Sequence, residues 1–528
     1  MNGIEDYNLA LKLLLPEMQV VVAIVIACLW NLFVPKQKSV TPIICCIALG
    51  LAFYTLSLEF SAPKVALFGG VFTVDRLTVA FGMIACAVGL IVVLMTSGYE
   101  YHFRDNAGEF YAILLTAVLA VMLLAGSTDL IMLFIGLETL SICCVILSGF
   151  EKRDQKSSEA ALKYLLSTAA TTATLLYGLS FLYGLTGSTN FDVIREQMSY
   201  LTLPPTSLVK MFLLVLILSA VGFKLSAVPF HMWTPDVYEG APTPVTAFLS
   251  IGSKAGGFVI ALRLLTIVFD KAIGDWGVIV GVMAALSMIA GNFIALAQTS
   301  FKRMLAYSSI AHVGYILIGL VSSSEVGLSA VLFYIVVYGA MNLGAFAGAI
   351  LFTNETGSDK IDDFSGLVRK RPFLAIMLSI CLLNLAGLPI PPAGFFAKVF
   401  IFGAGLTIPL TIADAPVGWI LVAIALFTTV PAIYYYTRVV IKMIVREPSE
   451  VVAALPDHRR YVGSSQGGPI VALGFCVLAI ISTGTIVVNP VMNFAHNSMR
   501  PLLPMSDRYT PGSQPYKPIQ PIVQPITP

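Results

Sequence analysis

Long apolar runs follow one another along almost the whole chain and are separated by short polar turns. A helix needs about 20 consecutive apolar residues to cross the hydrocarbon core of a bilayer. The pattern therefore predicts an all-α polytopic membrane protein with about 14 transmembrane helices. The predicted spans are 14–34, 40–61, 74–97, 109–126, 129–149, 160–185, 209–230, 242–268, 276–297, 303–321, 327–352, 372–407, 418–444 and 469–489.

Proline interrupts two of these runs. The seventh reaches Pro229 shortly after Lys224, and the twelfth contains the sequence GLPIPP at 387–392. Proline lacks an amide hydrogen and breaks the helical hydrogen-bond ladder, and inside a membrane the freed groups must be satisfied by protein or by water. We expect helices 7 and 12 to be broken, as in transporters. The alternative is a simple proline kink.

The composition supports a membrane protein and excludes some partners. The 528 residues are 57% hydrophobic and 11% charged, whereas soluble domains are about 25% charged. Lys plus Arg total 31 and Asp plus Glu total 29, so no charge excess points to nucleic acid. The eight cysteines lie in apolar segments without a Cys-x-x-Cys motif. They are interpreted as small hydrophobic side chains, and no metal site is expected.

Basic residues concentrate in the loops that follow odd-numbered helices. They are Lys36, Lys38, Arg104, Lys152, Arg153, Lys156, Lys302, Arg303, Lys360, Arg369, Lys370, Arg371, Arg446, Arg459 and Arg460. The positive-inside rule then places these loops on the cytoplasmic side. With an even number of helices, both termini are expected on the outer side.

Four charged residues lie inside apolar runs: Glu138, Lys224, Lys254 and Lys398. A charge near the middle of a bilayer costs roughly 2.5–3.5 kcal/mol on insertion scales, and such groups mark ion or proton pathways. Lysine suits proton storage because burial and a nearby carboxylate move its proton affinity in opposite directions. These residues are candidates for a proton path. Static ion pairs that orient the helices are the alternative.

His312 is the fifth candidate, because imidazole both donates and accepts a proton near neutral pH. It follows Glu138 by 174 residues, and Lys398 follows Lys224 by the same 174 residues. The offset joins the fifth helix to the tenth and the seventh to the twelfth, which predicts two inverted five-helix repeats. The alternative is coincidence.

The expected units are 1–108 (helices 1–3), 109–270 and 271–446 (the two bundles), 447–498 (a loop and the last span) and 499–528 (a Pro-rich tail).

The segment 231–245, HMWTPDVYEGAPTPV, is dense in turn-forming and polar residues. We interpret it as a loop at the membrane interface, with Trp233 and Tyr238 as anchors.

The tail after Met499 is rich in proline and polar residues, so an extended or disordered strap is expected there.

Several motifs resemble one known family. They are HMWTPDVYEGAPTPVTAFLS (231–250), SKAGGF (253–258), ALAQTSFKRMLAYSSIAHVGY (295–315) and GLPIPPAGFFAKVFIF (387–402). They are similar to the antiporter-like subunit 2 (subunit N) of respiratory complex I and to its homologue in the photosynthetic NAD(P)H dehydrogenase-like complex of cyanobacteria and chloroplasts. The resemblance covers roughly residues 75 to 450. Multisubunit cation/proton antiporters share the general arrangement of these motifs, but their sequence differs at the segment TPDVYEGAPTPV (234–245).

The resemblance implies fourteen helices, a central polar axis and a pump driven by quinone reduction in other subunits. The family's glutamate of helix 5 falls on Glu138, and its lysines of helices 7, 8 and 12 fall on Lys224, Lys254 and Lys398. His312 matches many bacterial relatives. The implied path runs from Glu138 and Lys224 through Lys254 and His312 to Lys398, which releases protons outside.

The predicted function is that of a proton-translocating membrane subunit of a complex I-type NAD(P)H (or ferredoxin):quinone oxidoreductase, without a redox site on this chain. The resemblance places NAD(P)H or ferredoxin, Fe–S clusters and quinone on partner subunits, in a bacterial inner membrane or a thylakoid membrane. In the photosynthetic form the quinone is plastoquinone. One alternative is a subunit of a Na⁺/H⁺ antiporter, which co-purification distinguishes. The other is a structural scaffold, in which charge removal leaves pumping intact.

Overall fold

The computed structural model describes residues 2–34, 40–99, 103, 106–200, 208–412, 415–456 and 466–502. Nearly all of them are helical, as predicted. The α-helices are α1 Asn2–Leu13, α2 Leu15–Phe33, α3 Val40–Glu59, α4 Arg76–Ser97, α5 Ala107–Gly126, α6 Leu130–Ser148, α7 Gln155–Thr186, α8 Phe191–Tyr200, α9 Leu208–Leu225, α10 Trp233–Gly240, α11 Thr243–Phe248, α12 Lys254–Arg263, α13 Ile273–Leu296, α14 Phe301–Ser322, α15 Glu325–Thr356, α16 Leu367–Lys370, α17 Pro372–Ala386, α18 Ala393–Gly405, α19 Val417–Ile444, α20 Glu450–Ala453, α21 Gly467–Thr485 and α22 Val488–Met499.

Two short antiparallel hairpins accompany the helices. β1 (Val65–Leu67) pairs with β2 (Phe72–Val74), and β3 (Thr411–Ile412) pairs with β4 (Ala415–Pro416). Between α11 and α12 the backbone forms a π-helical turn, Leu249–Ser253, and a second one, Leu264–Val268, follows α12. These pieces join without a break, so that 243–268 forms one membrane-length rod.

Twelve of the fourteen predicted spans correspond to helical segments that are long and apolar enough to cross a membrane. This makes the chain a multi-pass membrane protein. The seventh predicted span contains α9, an apolar helix of 18 residues. The twelfth consists of the shorter apolar helices α17 and α18. The count of fourteen spans and the two inverted repeats remain predictions, and residues 503–528 of the predicted tail lie outside the described residues.

The helix interruptions predicted from proline are present, and both are true breaks rather than kinks. Helix α9 ends at Leu225, and the next residue, Ser226, has a φ of 64°. Helix α17 ends at Ala386, and Gly387 caps it with a φ of 86°, in the left-handed region that favours glycine. Six residues, 387–392, separate α17 from α18. Each break therefore brings a buried helix end next to one of the predicted lysines, Lys224 or Lys398.

The centre of the assembly is formed by the 243–268 rod, α14 and α15. In the most apolar part of these segments 100%, 94% and 89% of residues are buried, against 28% and 33% in α2 and α3. The peripheral helices turn apolar side chains outward, where lipid or a partner subunit covers them. The three central segments carry Lys254 and His312, and α18 with Lys398 packs against α14 and α15.

Candidate functional site

The five predicted proton-path residues lie on five different helices. They are Glu138 on α6, Lys224 in the last turn of α9, Lys254 at the start of α12, His312 on α14 and Lys398 on α18. The three lysines and the histidine are at most 5% exposed, whereas Glu138 is half-buried. Four ionisable groups thus lie in the interior of a membrane protein, where each must find a polar partner.

Glu138 and Lys224 do not touch each other, although the sequence predicts that they act together. The Glu138 carboxylate accepts a hydrogen bond from Thr172 Oγ1 at 2.6 Å. Lys224 Nζ donates to Ser141 Oγ at 3.0 Å, and Ser141 lies one helical turn after Glu138 on α6. Lys224, on α9, thus contacts α6 one helical turn from Glu138, and the hydroxyl groups of Ser141 and Thr172 are the direct partners of the two charges.

A small cavity lies beside Lys224 and beside Thr172, the residue that binds Glu138. Its lining residues are Leu137, Ser141, Thr168, Thr171, Thr172, Ala220, Phe223 and Lys224. It leaves about 10 Å³ for the centre of a water molecule, which is close to the space that one water needs. The buried Thr168 hydroxyl has no protein partner. The cavity thus joins hydroxyl groups, the Lys224 ammonium and room for about one water.

Lys224 also lies close to the helix that carries Lys254. A Cβ atom at Gly257 would come within 3.3 Å of Lys224 Cγ, so the glycine lets the lysine side chain run along α12. Lys254 lies three residues before Gly257 on the same helix. Its Nζ donates to the hydroxyl of Ser309 at 2.9 Å and to the Ser309 carbonyl at 3.1 Å.

From Ser309 the polar contacts continue to His312 along α14. The neighbouring Ser308 hydrogen-bonds the Tyr436 hydroxyl, which lies 3.4 Å from His312 Nε2. Tyr334 places its hydroxyl 2.8 Å from His312 Nδ1. Both imidazole nitrogens therefore face tyrosine hydroxyls, and Tyr436 contacts both His312 and Ser308, the neighbour of the serine that binds Lys254.

Lys398 is held by the broken helix. Its Nζ donates to the carbonyl oxygen of Ala386 at 2.8 Å, and Ala386 is the last residue of α17. The carbonyls of the last helical turn have no partner within their own helix, so the break supplies the acceptor that the lysine needs. A Cβ atom at Gly387 would lie 2.8 Å from the same Nζ. The ammonium thus lies directly against the interrupted backbone.

Five buried tyrosine hydroxyls surround the centre, and none of them was predicted to lie there. They are Tyr315, Tyr334, Tyr338, Tyr435 and Tyr436. All are at most 3% exposed, and Tyr338 stacks on the His312 ring at 4.7 Å between centroids. The sequence contained a signal, since IYYYTRV places three consecutive tyrosines inside an apolar run, but tyrosine is also an ordinary core residue.

A fifth intramembrane charge was missed as well. Arg263 ends α12 and is 1% exposed. It forms an ion pair with Asp75 at 3.1 Å and donates to the Ala125 carbonyl at 2.6 Å. Arg263 satisfies the same criterion as the lysines, a charge within an apolar run. Its contacts with Asp75, Thr78 and Ala125 and its permanent charge suit the anchoring of α12 against α4 and α5.

The segment 231–245 is not the interfacial loop that the sequence predicts. Residues Trp233–Gly240 form helix α10, and both predicted anchors are buried, Trp233 at 5% and Tyr238 at 0% exposure. Trp233 donates to the Phe223 carbonyl at 3.2 Å and stacks on Tyr164 at 4.5 Å. Phe223 precedes Lys224 in α9. Helix α10 therefore packs against the broken end of α9, and its two aromatic residues do not serve as headgroup anchors.

Two carboxylates on α10 fix it to the neighbouring helices. Asp236 pairs with Lys163 at 2.7 Å and with Arg303 at 3.0 Å. Glu239 pairs with the same Arg303 at 2.9 Å and with Lys156 at 3.2 Å. Burial raises the pKa of both carboxyl groups, but hydrogen bonds and charges from these basic partners outweigh it and bring each pKa below its ordinary value. Both groups therefore stay ionised at neutral pH.

No cluster of three or more His, Cys, Asp or Glu side chains that could hold a metal occurs in the described ranges. The eight cysteines are free thiols, and six of them are buried. The polar groups described in the centre are lysine, histidine, carboxylate and hydroxyl side chains.

Comparison with known proteins places this arrangement in context. Residues 127–429 match the family described as NADH:quinone oxidoreductase/Mrp antiporter, TM. The chain is 45% identical over 501 residues to NAD(P)H-quinone oxidoreductase subunit 2 of Prochlorococcus marinus (strain MIT 9312), covering 94% of this chain and 96% of the relative. It is 47% identical over 491 residues to the subunit 2 of Synechococcus sp. (strain CC9311), covering 92% and 90%.

Solved structures agree in fold. A chain of respiratory complex I from Thermus thermophilus with bound Aureothin is 29% identical, with a TM-score of 0.70 over 90% of this chain and 98% of that one. A chain of the Mrp complex from Dietzia sp. DQ12-45-1b gives a TM-score of 0.79 over 94% and 99%, at 19% identity. At 19% identity, the likeness to the Mrp chain shows a shared fold only.

Proposed function

Because the chain belongs to the NADH:quinone oxidoreductase/Mrp antiporter transmembrane family, we propose that it is the proton-translocating membrane subunit of a complex I-type NAD(P)H-quinone oxidoreductase. The supporting observation is the buried centre. Lys224, Lys254, His312 and Lys398 all lie inside the protein, and each contacts a hydroxyl or carbonyl oxygen on another helix. Burying ionisable groups in a membrane interior costs free energy, and a role in proton transfer explains why the protein keeps them.

The proton path begins in the first half of the chain. Glu138 binds Thr172 and, through the hydroxyl-lined cavity that Thr172 shares with Lys224, controls how strongly Lys224 holds a proton. Lys224 passes the proton along α12 to Lys254, and the serines and Tyr436 connect Lys254 with His312. A change of charge at one site alters the next, because Coulomb interactions are strong where water is excluded.

Lys398 is the release site. Its ammonium lies at a broken helix, where unpaired backbone groups attract water. The basic residues of the odd-numbered loops support an inner location for these loops and an outer location for both termini. Lys398 releases its protons to the outer side. The membrane is a bacterial inner membrane or a thylakoid membrane, and the subunit 2 relatives come from cyanobacteria.

The redox chemistry belongs to partner subunits. NAD(P)H or ferredoxin, Fe–S clusters and a quinone, plastoquinone in the photosynthetic form, supply the driving energy there. This chain has the two inverted five-helix bundles at 109–270 and 271–446, preceded by three helices at 1–108 and followed by the loop and last span at 447–498. The bundles carry the charged residues of the path.

A Na⁺/H⁺ antiporter subunit is the second candidate, because the Mrp complex shares the fold at a TM-score of 0.79. The likeness to quinone oxidoreductase subunits favours the first, since it reaches 45–47% identity over at least nine tenths of both chains.

Purification decides between the two. The tagged chain, extracted from its own membrane in mild detergent, is expected to bring Fe–S subunits with it. After reconstitution into liposomes the complex is expected to move protons only while quinone is being reduced. Sodium-dependent proton exchange without quinone reductase partners would assign the chain to the antiporters.

A further inference from the structure

Tyr315 on α14 contacts two residues of the proposed path. Its ring meets the His312 imidazole nearly edge-on, with centroids 5.9 Å apart and planes at 83°. The Nζ atom of Lys398 lies over the same ring, 5.2 Å from its centroid. Tyr315 is 1% exposed, and its buried ring contacts both the histidine and the lysine proposed to release protons.

The hydroxyl group of this tyrosine is fixed from two other helices. Asn292 on α13 donates its amide hydrogen to the Tyr315 hydroxyl at 3.0 Å. Thr428 on α19 lies 3.5 Å from it. Tyr435 donates to the other end of the Asn292 amide at 3.2 Å, and a further amide hydrogen goes to the Met288 carbonyl at 2.8 Å.

This amide cannot serve as a simple proton wire. An amide nitrogen donates and an amide oxygen accepts, so a proton that passed through Asn292 would leave it in a different tautomer. The network therefore holds the phenol ring in one place. A ring fixed in this way keeps its π face, rather than its hydroxyl, toward Lys398.

We propose that Tyr315 is a positioning residue for Lys398, and that its ring face, locked by Asn292, holds the protonated ammonium at the broken helix. A cation over an aromatic face is attracted by the ring quadrupole, and the attraction grows when water is excluded. A neutral amine gains little from the same face. The ring thus favours the charged lysine beside the Ala386 carbonyl, until a change of charge at His312 drives the proton away. The inference rests on the proposed function, in which Lys398 releases protons.

The test uses the whole complex in proteoliposomes, with proton movement measured per quinone reduced. Tyr315→Met fills the space without a π face, and we expect translocation to fall about ten-fold, within the range that a desolvated cation–π contact is worth. Tyr315→Phe keeps the face but loses the hydroxyl that Asn292 holds, so it should lose about two-fold, as Asn292→Ala should, and clearly less than the Met variant. Phe402→Leu is the matched control, because Phe402 contacts Tyr315 at 6.0 Å between centroids and its removal leaves the ring over Lys398.

Two results would overturn the inference. Wild-type translocation by Tyr315→Met would show that the ring is dispensable, and equal losses in the Phe and Met variants would show that the hydroxyl is what matters. If the Met chain does not assemble, Asn292→Ala decides, since it frees the hydroxyl but keeps ring and lysine. A loss of two-fold or more supports the lock, and an unchanged rate refutes it.

Lys398→Ala, measured in parallel, separates this inference from the proposed function. If Lys398→Ala pumps normally, the role of Lys398 itself is wrong. If Lys398→Ala fails to pump while Tyr315→Met pumps at the wild-type rate, the role of Lys398 stands and only that of Tyr315 is rejected.

Discussion

Lys224 donates its ammonium hydrogen to the Ser141 hydroxyl at 3.0 Å, one helical turn away from Glu138. The serine therefore stands where a direct ion pair would be expected. Glu138 instead binds Thr172. An indirect arrangement leaves the carboxylate and the ammonium free to change charge separately, which a tight ion pair would resist.

Ser141→Ala tests this link. A hydrogen bond to a charged group contributes roughly 1.5–3 kcal/mol, and we expect proton translocation to fall about ten-fold or more, since each 1.4 kcal/mol is a factor of ten. Ser148→Ala is the control, because Ser148 lies on the same helix, is buried and bonds the carbonyl four residues back as Ser141 does. Equal effects of the two substitutions would mean that the contact with Lys224 is irrelevant.

Glu138 and Lys224 are expected to be coupled despite the gap between them. Glu138→Gln and Lys224→Met should each reduce pumping far more than assembly, and the double variant should lose less than the two single losses combined. A double-mutant cycle on the translocation rate measures this. Simple additivity would argue that the two groups act independently.

Gly387→Ala tests the break beside Lys398. The glycine has a φ of 86°, a conformation that costs other residues roughly 1–2 kcal/mol, and the added Cβ would lie 2.8 Å from the lysine Nζ. We expect pumping to fall several-fold in chains that assemble. Gly403→Ala on α18 is the control, because its Cβ meets nothing within 4 Å. If both variants pumped equally well, close packing at the break would not matter.

Lys398→Arg distinguishes a proton carrier from a fixed charge. Arginine keeps its proton under all ordinary conditions. Both Lys398→Ala and Lys398→Arg should therefore impair translocation in the reconstituted complex while the subunit still assembles. An Arg variant that pumps at the wild-type rate would make Lys398 a structural charge.

The predicted orientation is tested by a pair of single cysteines. Lys360 and Lys64 are both exposed and lie in loops that the basic residues assign to opposite sides. Lys64→Cys should react with an impermeant thiol reagent added from the outer side of intact cells or vesicles, and Lys360→Cys should not. The reversed labelling pattern would invert the topology.

The sequence by itself determined the membrane fold and the charged residues of the centre. Apolar length identifies twelve spans within a few residues, because a bilayer demands a fixed number of apolar residues whatever surrounds them. Proline located both breaks, since the missing donor acts locally. Lys224, Lys254 and Lys398 were found because a charge in an apolar run is costly in any fold.

Only the tertiary structure decided what those charges touch. That Lys224 meets Ser141 rather than Glu138, and that Lys398 meets the end of α17, depends on how separate helices pack. Tyr315 and Trp233 show the same limit. Tyrosine and tryptophan suit a core, an interface or a binding site equally well. The residue type alone therefore does not predict where such a side chain lies. Contacts between residues far apart in the chain leave no local pattern, and packing alone fixes them.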